Sequence, residues 1–377
     1  MNLCKWSALL AMGAQVLLSG CDSGSQSKPG ETATDGLRDY MVTFSRPNIL
    51  NLVDLEDDKV VRQCEVPGRA APGTVVVSPD RSIAYVLSDG FSNAYGFALK
   101  DCEMVFSTNQ ADGNIRVKTM ASLAISPDGK ELYTHQNRVK LLNDRYEIQP
   151  PLLAVFDTSA GLDVPPSRTF PAPRQVTIMT ASATGHVYLG GPDIYKMDAT
   201  TGEYEVALQS RSLQDPAYSP RDILSVWPLG EVNNEWIRQY SVVHFLGESG
   251  DMENAEFLWG HERVDLLTGA TGSREFGPLD RVLFTGMPRP GNMDTVYGVL
   301  NQLQVFDANT QSVLRTIDLE HAYYCINFST DGSKIYLSGT LDDIAVYDAD
   351  SLEKITNIQV SGDMGMSNSY IFKRTVI

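Results

Sequence analysis

The feature that most constrains this chain is a recurring layout. An apolar strand runs into a Ser-Pro-Asp-Gly-like turn, a Tyr-containing strand follows, and a further apolar strand ends in Asp. Ser78-Pro79-Asp80 precedes Ile83-Ala84-Tyr85-Val86, and Ser126-Pro127-Asp128-Gly129 precedes Glu131-Leu132-Tyr133. Ser329-Thr330-Asp331-Gly332 precedes Lys334-Ile335-Tyr336-Leu337, and a looser copy, Ala183-Thr184-Gly185, precedes His186-Val187-Tyr188-Leu189. Pro at the second position and Gly at the last suit a type I turn. Units of this size cannot bury their apolar faces alone, so they stack on one another.

The strand-ending Asp gives the number of units. It falls at Asp54, Asp101, Asp157, Asp198, Asp265, Asp307 and Asp348, with spacings of 47, 56, 41, 67, 42 and 41 residues. The short spacings match a four-stranded propeller blade. The long ones place insertions at Gln136–Pro151 and Leu213–Asn254. The expected fold is all-β, a seven-bladed β-propeller of four-stranded blades. The ring has to close. The first unit supplies only three strands, Tyr40–Phe44, Asn48–Asp54 and Lys59–Val66, so the missing inner strand is expected from the C-terminus, around Met366–Phe372. Residues 38–377 therefore read as one domain, although 377 residues alone would suggest two.

Before the repeats, Lys5 and the apolar run Trp6–Leu18 lead into Leu18-Ser19-Gly20-Cys21. Basic, apolar and small-residue segments in this order, ending in Cys, make a lipoprotein signal peptide over residues 1–20. Cys21 is the expected lipidation site. Residues 21–37 are polar and rich in Ser, Gly and Thr, as expected of a flexible tether. The expected location is the periplasm, on a membrane through the lipid anchor; Asp22 favours the inner membrane.

The net charge of −17 opposes nucleic-acid binding, which needs clustered Lys and Arg. No Cys-x-x-Cys-His occurs, so no covalent haem is expected on this chain. The five His show no zinc spacing, and no phosphate loop or nucleophile elbow is visible. No metal site and no catalytic residue is expected. Cys64 and Cys102 fall on outer strands of adjacent units, where they form either a disulfide or two separate thiols. Cys325 belongs to an inner-strand pattern and reads as a small core residue. His321-Ala322-Tyr323-Tyr324 enters that same inner strand at one rim of the channel, where propellers bind ligands. Adjacent side chains point to opposite faces, so only one Tyr can face the channel; the alternative is packing between blades with a satisfied hydroxyl. Arg174 enters another inner strand and either binds a partner carboxylate or satisfies loop carbonyls.

Local sequences resemble the beta subunit of quinohemoprotein amine dehydrogenase. The resemblance is carried by Arg46-Pro47-Asn48-Ile49-Leu50-Asn51-Leu52-Val53-Asp54, by the insertion running from Arg138 to Asp157, by Ala172–Thr177 and Asp222–Trp227, and most strongly by His321–Gly339. It extends from about Arg38 to Phe372. It implies a seven-bladed propeller without its own prosthetic group, in a complex that oxidatively deaminates primary amines. The implied partners are a dihaem cytochrome c alpha subunit and a small gamma subunit bearing cysteine tryptophylquinone. The resemblance thus places quinone and haem c on the partners, and this chain as scaffold and cavity wall. His321, Tyr323, Tyr324, Arg174 and the Arg138–Pro151 insertion are the expected partner or cavity residues. The lipid signal departs from a soluble beta subunit. Two other readings stay open: a free-standing envelope lipoprotein that binds a protein or ligand, and an autonomous propeller enzyme such as a lactonase.

Overall fold

The computed structural model describes residues 36–69 and 73–376. The signal peptide, Cys21 and all but the last two tether residues lie outside the described residues. The described residues form seven antiparallel sheets arranged as a seven-bladed propeller. Blade 1 joins Ser369–Thr375 as its inner strand to Leu37–Ser45, Ile49–Asp54 and Lys59–Glu65. Blades 2 to 7 begin at the inner strands Val75–Val77, Leu123–Ile125, Ile178–Ala181, Asp222–Leu229, Thr285–Arg289 and Cys325–Phe328. The closing strand pairs in register from Leu37 with Thr375 to Thr43 with Ser369. It sits three residues later than the sequence placed it.

Burial explains the strand composition. A strand in the middle of a blade is covered on both faces by neighbouring blades, and Ile83–Ser88 is buried at every position after the first. An outer strand has one wet face, and Lys59–Glu65 and Lys354–Gln359 alternate accordingly. Each blade boundary holds its own apolar cluster. At the closing blade, Phe372 packs toward blade 2 and Ile371 toward blade 7.

The repeat signature has a hydrogen-bonding cause. In the turn after the inner strand, the Ser hydroxyl donates to the Asp carboxylate and accepts the N–H that opens the next strand. Ser78 does this with Asp80 and Ile83, Ser126 with Asp128 and Glu131, and Ser329 with Asp331 and Lys334. The strand-ending Asp accepts turn N–H groups: Asp198 from Thr200 and Thr201, Asp265 from Leu267 and Thr268, Asp348 from Asp350 and Ser351. The repeated Tyr reaches into the next blade. Tyr188 donates to the Gly269 carbonyl and Tyr297 to that of Ala349.

Three sequence expectations shift. Asp101 is not a strand end: the strand stops at Ala98, and Asp101 lies in the following turn. Cys102 shares that turn at φ 63° rather than an outer strand. The turn reaches the outer strand of blade 1, and Cys102 forms a disulfide with Cys64. The extra length near blade 5 is not one insertion. It divides into a connector, a strand bulge, a short 3-10 turn and a long hairpin around blade strands.

Chain direction gives the two faces different characters. Inner strands begin on one face and end on the other, where the Ser-Pro-Asp-Gly turns lie. Two strand pairs overshoot the first face. In blade 3, Glu131–Leu141 runs past the sheet and pairs with Ile115–Lys118 and Tyr146–Ile148. In blade 5, Glu235–Phe245 and Ala255–Asp265 pair along all eleven residues. We call these the hairpin face and the turn face.

Candidate functional site

The central channel is interrupted from blade 5. Its inner strand pairs normally at Leu224 with Gln239 and resumes at Leu229 with Ile237. The residues between are looped out of the ladder, a bulge far larger than one extra residue. Trp227 on this bulge is buried, and its indole N–H donates to the Met366 carbonyl at 3.1 Å. Its ring lies 5.7 Å from Phe284, which stacks on Tyr324 at 4.3 Å. Phe284, Tyr324 and Met366 precede the inner strands of blades 6, 7 and 1, so four blades contribute to one cluster at the hairpin-face mouth.

His321, Tyr323 and Tyr324 separate as alternate side chains should. Tyr324 joins the channel cluster. Tyr323 is fully buried between blades 6 and 7 and donates its hydroxyl to Asp343 at 2.7 Å. His321 Nε2 meets the other Asp343 oxygen at 2.8 Å. Burial first, then the Asp343 carboxylate, pushes the Tyr323 hydroxyl far above the usual phenol range. Both oxygens of Asp343 are thus committed to fastening the connection from blade 6 to the start of strand Asp343–Asp348. Arg174 is exposed in the loop before the blade 4 inner strand, without a hydrogen bond or ion pair among the described residues. Arg138 is half-buried at the base of the blade 3 hairpin, where its carbonyl accepts the Gln149 N–H. Neither arginine joins the His321 or the Tyr324 group.

Sequence reasoning missed a carboxylate inside the channel. After Leu229 the chain makes a 3-10 turn, Glu231–Asn233, flanked by Gly230 and Asn234 in left-handed conformation. Glu231 reaches across to blades 7 and 1. Its Oε1 accepts from Asn327 Nδ2 at 2.5 Å and from the Ile371 N–H at 3.3 Å. Burial raises its pKa above the usual carboxylate range, against the pull of these donors. No Lys, Arg or His stands within ion-pair distance of it among the described residues. The available signal was local: in the unit with the 67-residue spacing, Gly-Glu-Val-Asn-Asn stands where the sister units have Ser-Pro-Asp-Gly.

Between the bulge and the turn face lies a cavity of about 290 Å³. Leu123, Ile125, Met179 and Leu229 supply apolar wall; Glu231, Glu235, Arg81 and Tyr370 supply polar groups. Among the described residues no group of three His, Cys, Asp or Glu is arranged to hold a metal ion.

No protein-family model matches this chain, and no curated protein matches it. Solved structures do. The dihydro-heme d1 dehydrogenase NirN, in complex with DHE, superposes with a TM-score of 0.55 at 14% identity, covering 91% of this chain and 77% of that one. A functionally unknown protein from Desulfotomaculum acetoxidans gives 0.52 at 14%, covering 89% and 98%. Hydrazine synthase of Kuenenia stuttgartiensis gives 0.50 at 13%, covering 84% and 90%. At these identities the likeness is one of fold, and it joins this chain to the seven-bladed propellers.

Proposed function

We propose that this chain is the noncatalytic propeller subunit of a periplasmic quinohemoprotein amine dehydrogenase. It scaffolds a quinone-bearing small subunit and a dihaem cytochrome c subunit on its hairpin face. The observation that carries this reading is the pair of overshooting hairpins on one face, beside an aromatic-lined channel mouth. They expose Tyr146, Ile148, Leu246 and Met252, apolar surface of the kind that partners cover. The aromatic mouth under them is suited to form one wall of a substrate cavity. In this reading the quinone and haem c on the partners supply the redox chemistry. Cys21 holds the complex to the membrane, with Asp22 favouring the inner one. A dihydro-heme d1 dehydrogenase among the fold neighbours is consistent with a propeller serving redox chemistry.

The test is purification of the tagged chain from its native membranes. The expected result is co-purifying c-type haem absorbance and amine-dependent dye reduction. Both should be lost with Tyr146→Asp/Ile148→Asp while the melting temperature holds, since exposed sites contribute little to stability. Recovery of the chain without haem or quinone absorbance would overturn the reading and favour a free-standing envelope lipoprotein.

A further inference from the structure

The cavity on the turn face lies opposite the hairpins, and the docking proposed above makes no use of it. Three observations mark it as a built site. First, Glu231 is a carboxylate with hydrogen-bond donors but no counter-ion. Second, Glu235 is nine-tenths buried on the same wall. One of its oxygens pairs with Arg263 at 3.1 Å, and the other has no hydrogen-bond partner. Third, Arg81 occupies the fourth position of the blade 2 turn at φ 62°. Sister turns hold Gly129, Gly185 and Gly332 there, at φ 75°, 81° and 71°. A left-handed conformation is costly for any residue with a Cβ. Such strain, kept where Gly would avoid it, points to a use for the side chain.

Arg81 also lacks an ion-pair partner among the described residues. Tyr370 lines the same cavity, within the fields of both Arg81 and Glu231. The cavity therefore presents a carboxyl group and a guanidinium, neither with a counter-ion among the described residues, and apolar wall beside them. A ligand with a single charge would satisfy half of this. We propose that this end of the channel binds a small apolar α-amino acid, its ammonium on Glu231 and its carboxylate on Arg81. Glu235 lines the same wall with one oxygen free to accept a hydrogen bond. The volume is at the lower end for small-molecule sites, which suits a single free amino acid. The raised pKa of Glu231 adds a readout: an arriving ammonium favours the ionised carboxylate and lowers that pKa, and any proton released shows as a buffer-dependent heat.

The experiment is calorimetric titration of the full-length chain in detergent with leucine, pentylamine and hexanoate, in two buffers of different ionisation heat. Leucine should bind saturably, and each single-charge analogue roughly tenfold or more weaker, a loss of about 1.4 kcal/mol or more. Glu231→Gln and Arg81→Gly should each weaken leucine by a similar factor. Arg81→Gly restores the residue that the turn prefers, so its melting temperature should hold or rise, which separates loss of the site from loss of the fold. No leucine binding, equal binding of pentylamine, or leucine binding untouched by both variants would overturn the proposal. None of these outcomes bears on haem co-purification, so this inference and the proposed function fail separately.

Discussion

Closure by the C-terminal strand can be tested by locking it. Leu37 and Thr375 face each other at the end of the first-blade ladder. Antiparallel partners lie about 4.5–5.5 Å apart at Cα, inside the range a disulfide tolerates. A Leu37→Cys/Thr375→Cys variant should therefore cross-link under mild oxidation. The loop it closes is nearly the whole domain, about 340 residues, for which chain-entropy loss in the unfolded state gives an upper bound of about 6 kcal/mol. Engineered bridges often deliver less, so about 3–6 kcal/mol is expected. With a urea m-value of about 3 kcal/mol/M the midpoint should rise by roughly 1–2 M over either single-cysteine variant under the same oxidant. Mass spectrometry under non-reducing conditions reports the bridge, and urea titration followed by circular dichroism reports its effect. Failure to cross-link, or a cross-linked protein unfolding at the midpoint of the single variants, would refute the closure: the termini would then not share a sheet.

Three further outcomes follow from the packing. Cys64→Ser/Cys102→Ser removes a bridge across 38 residues and should cost about 2–4 kcal/mol in guanidinium melts. Burial, aided by Arg274 and Arg263, lowers the His261 pKa from 6.5 to about 4. Between those values the unfolded chain binds a proton that the folded chain refuses, so stability falls as pH drops from 6.5 to 4, by about 3 kcal/mol in all; His261→Gln should flatten that acid limb in urea titrations at successive pH. Trp227→Ala should cost about 3–5 kcal/mol by urea titration, whereas Phe257→Ala, at 45% exposure, should change little.

The blades were legible because their signature is chemical. Ser78, Ser126 and Ser329 each satisfy a strand-opening N–H, and Asp198, Asp265 and Asp348 each cap a turn, so residue type and spacing carry the geometry directly. The separation of Tyr323 from Tyr324 was legible from strand alternation. The turn location of Cys102 was not, because strand ends are set by pairing register, which slips between Gly96 and Phe97. The channel carboxylate was not legible either. Glu231 in sequence is one acidic residue among 47 acidic side chains. What distinguishes it is that no Lys, Arg or His ion-pairs with it among the described residues, and that depends on which residues of blades 7 and 1 the ring brings near.

The departures from the repeat are not spread evenly, and their distribution is itself informative. Blade 5 carries the strand bulge with Trp227, the turn with Glu231, and the eleven-residue hairpin strands. It also carries a buried charge cluster. Glu262, fully buried, pairs with Arg238 at 2.5 Å and with Arg221 at 3.0 Å, while Arg221 lies over the Tyr240 ring. Buried ion pairs rarely improve stability over well-packed apolar residues. A blade that needed only to fill its sector would have no use for one. The cluster ties blade 5 to blade 4: Arg238 donates to the Gly191 carbonyl in a turn of blade 4 and to Ser210 in the connector, and Arg221 donates to Ser273 on the outer strand of blade 5. Through Arg221 it fixes the start of the bulged strand, and through Arg238 the strand paired with it, and a segment looped out of its ladder needs such fixing to hold one conformation. Where local rules fail together in one unit and the compensations are also found there, the unit carries more than the fold requires. Blade 5 divides the channel into an aromatic mouth on the hairpin face and a charged cavity on the turn face, and both proposed sites depend on the wall it builds between them.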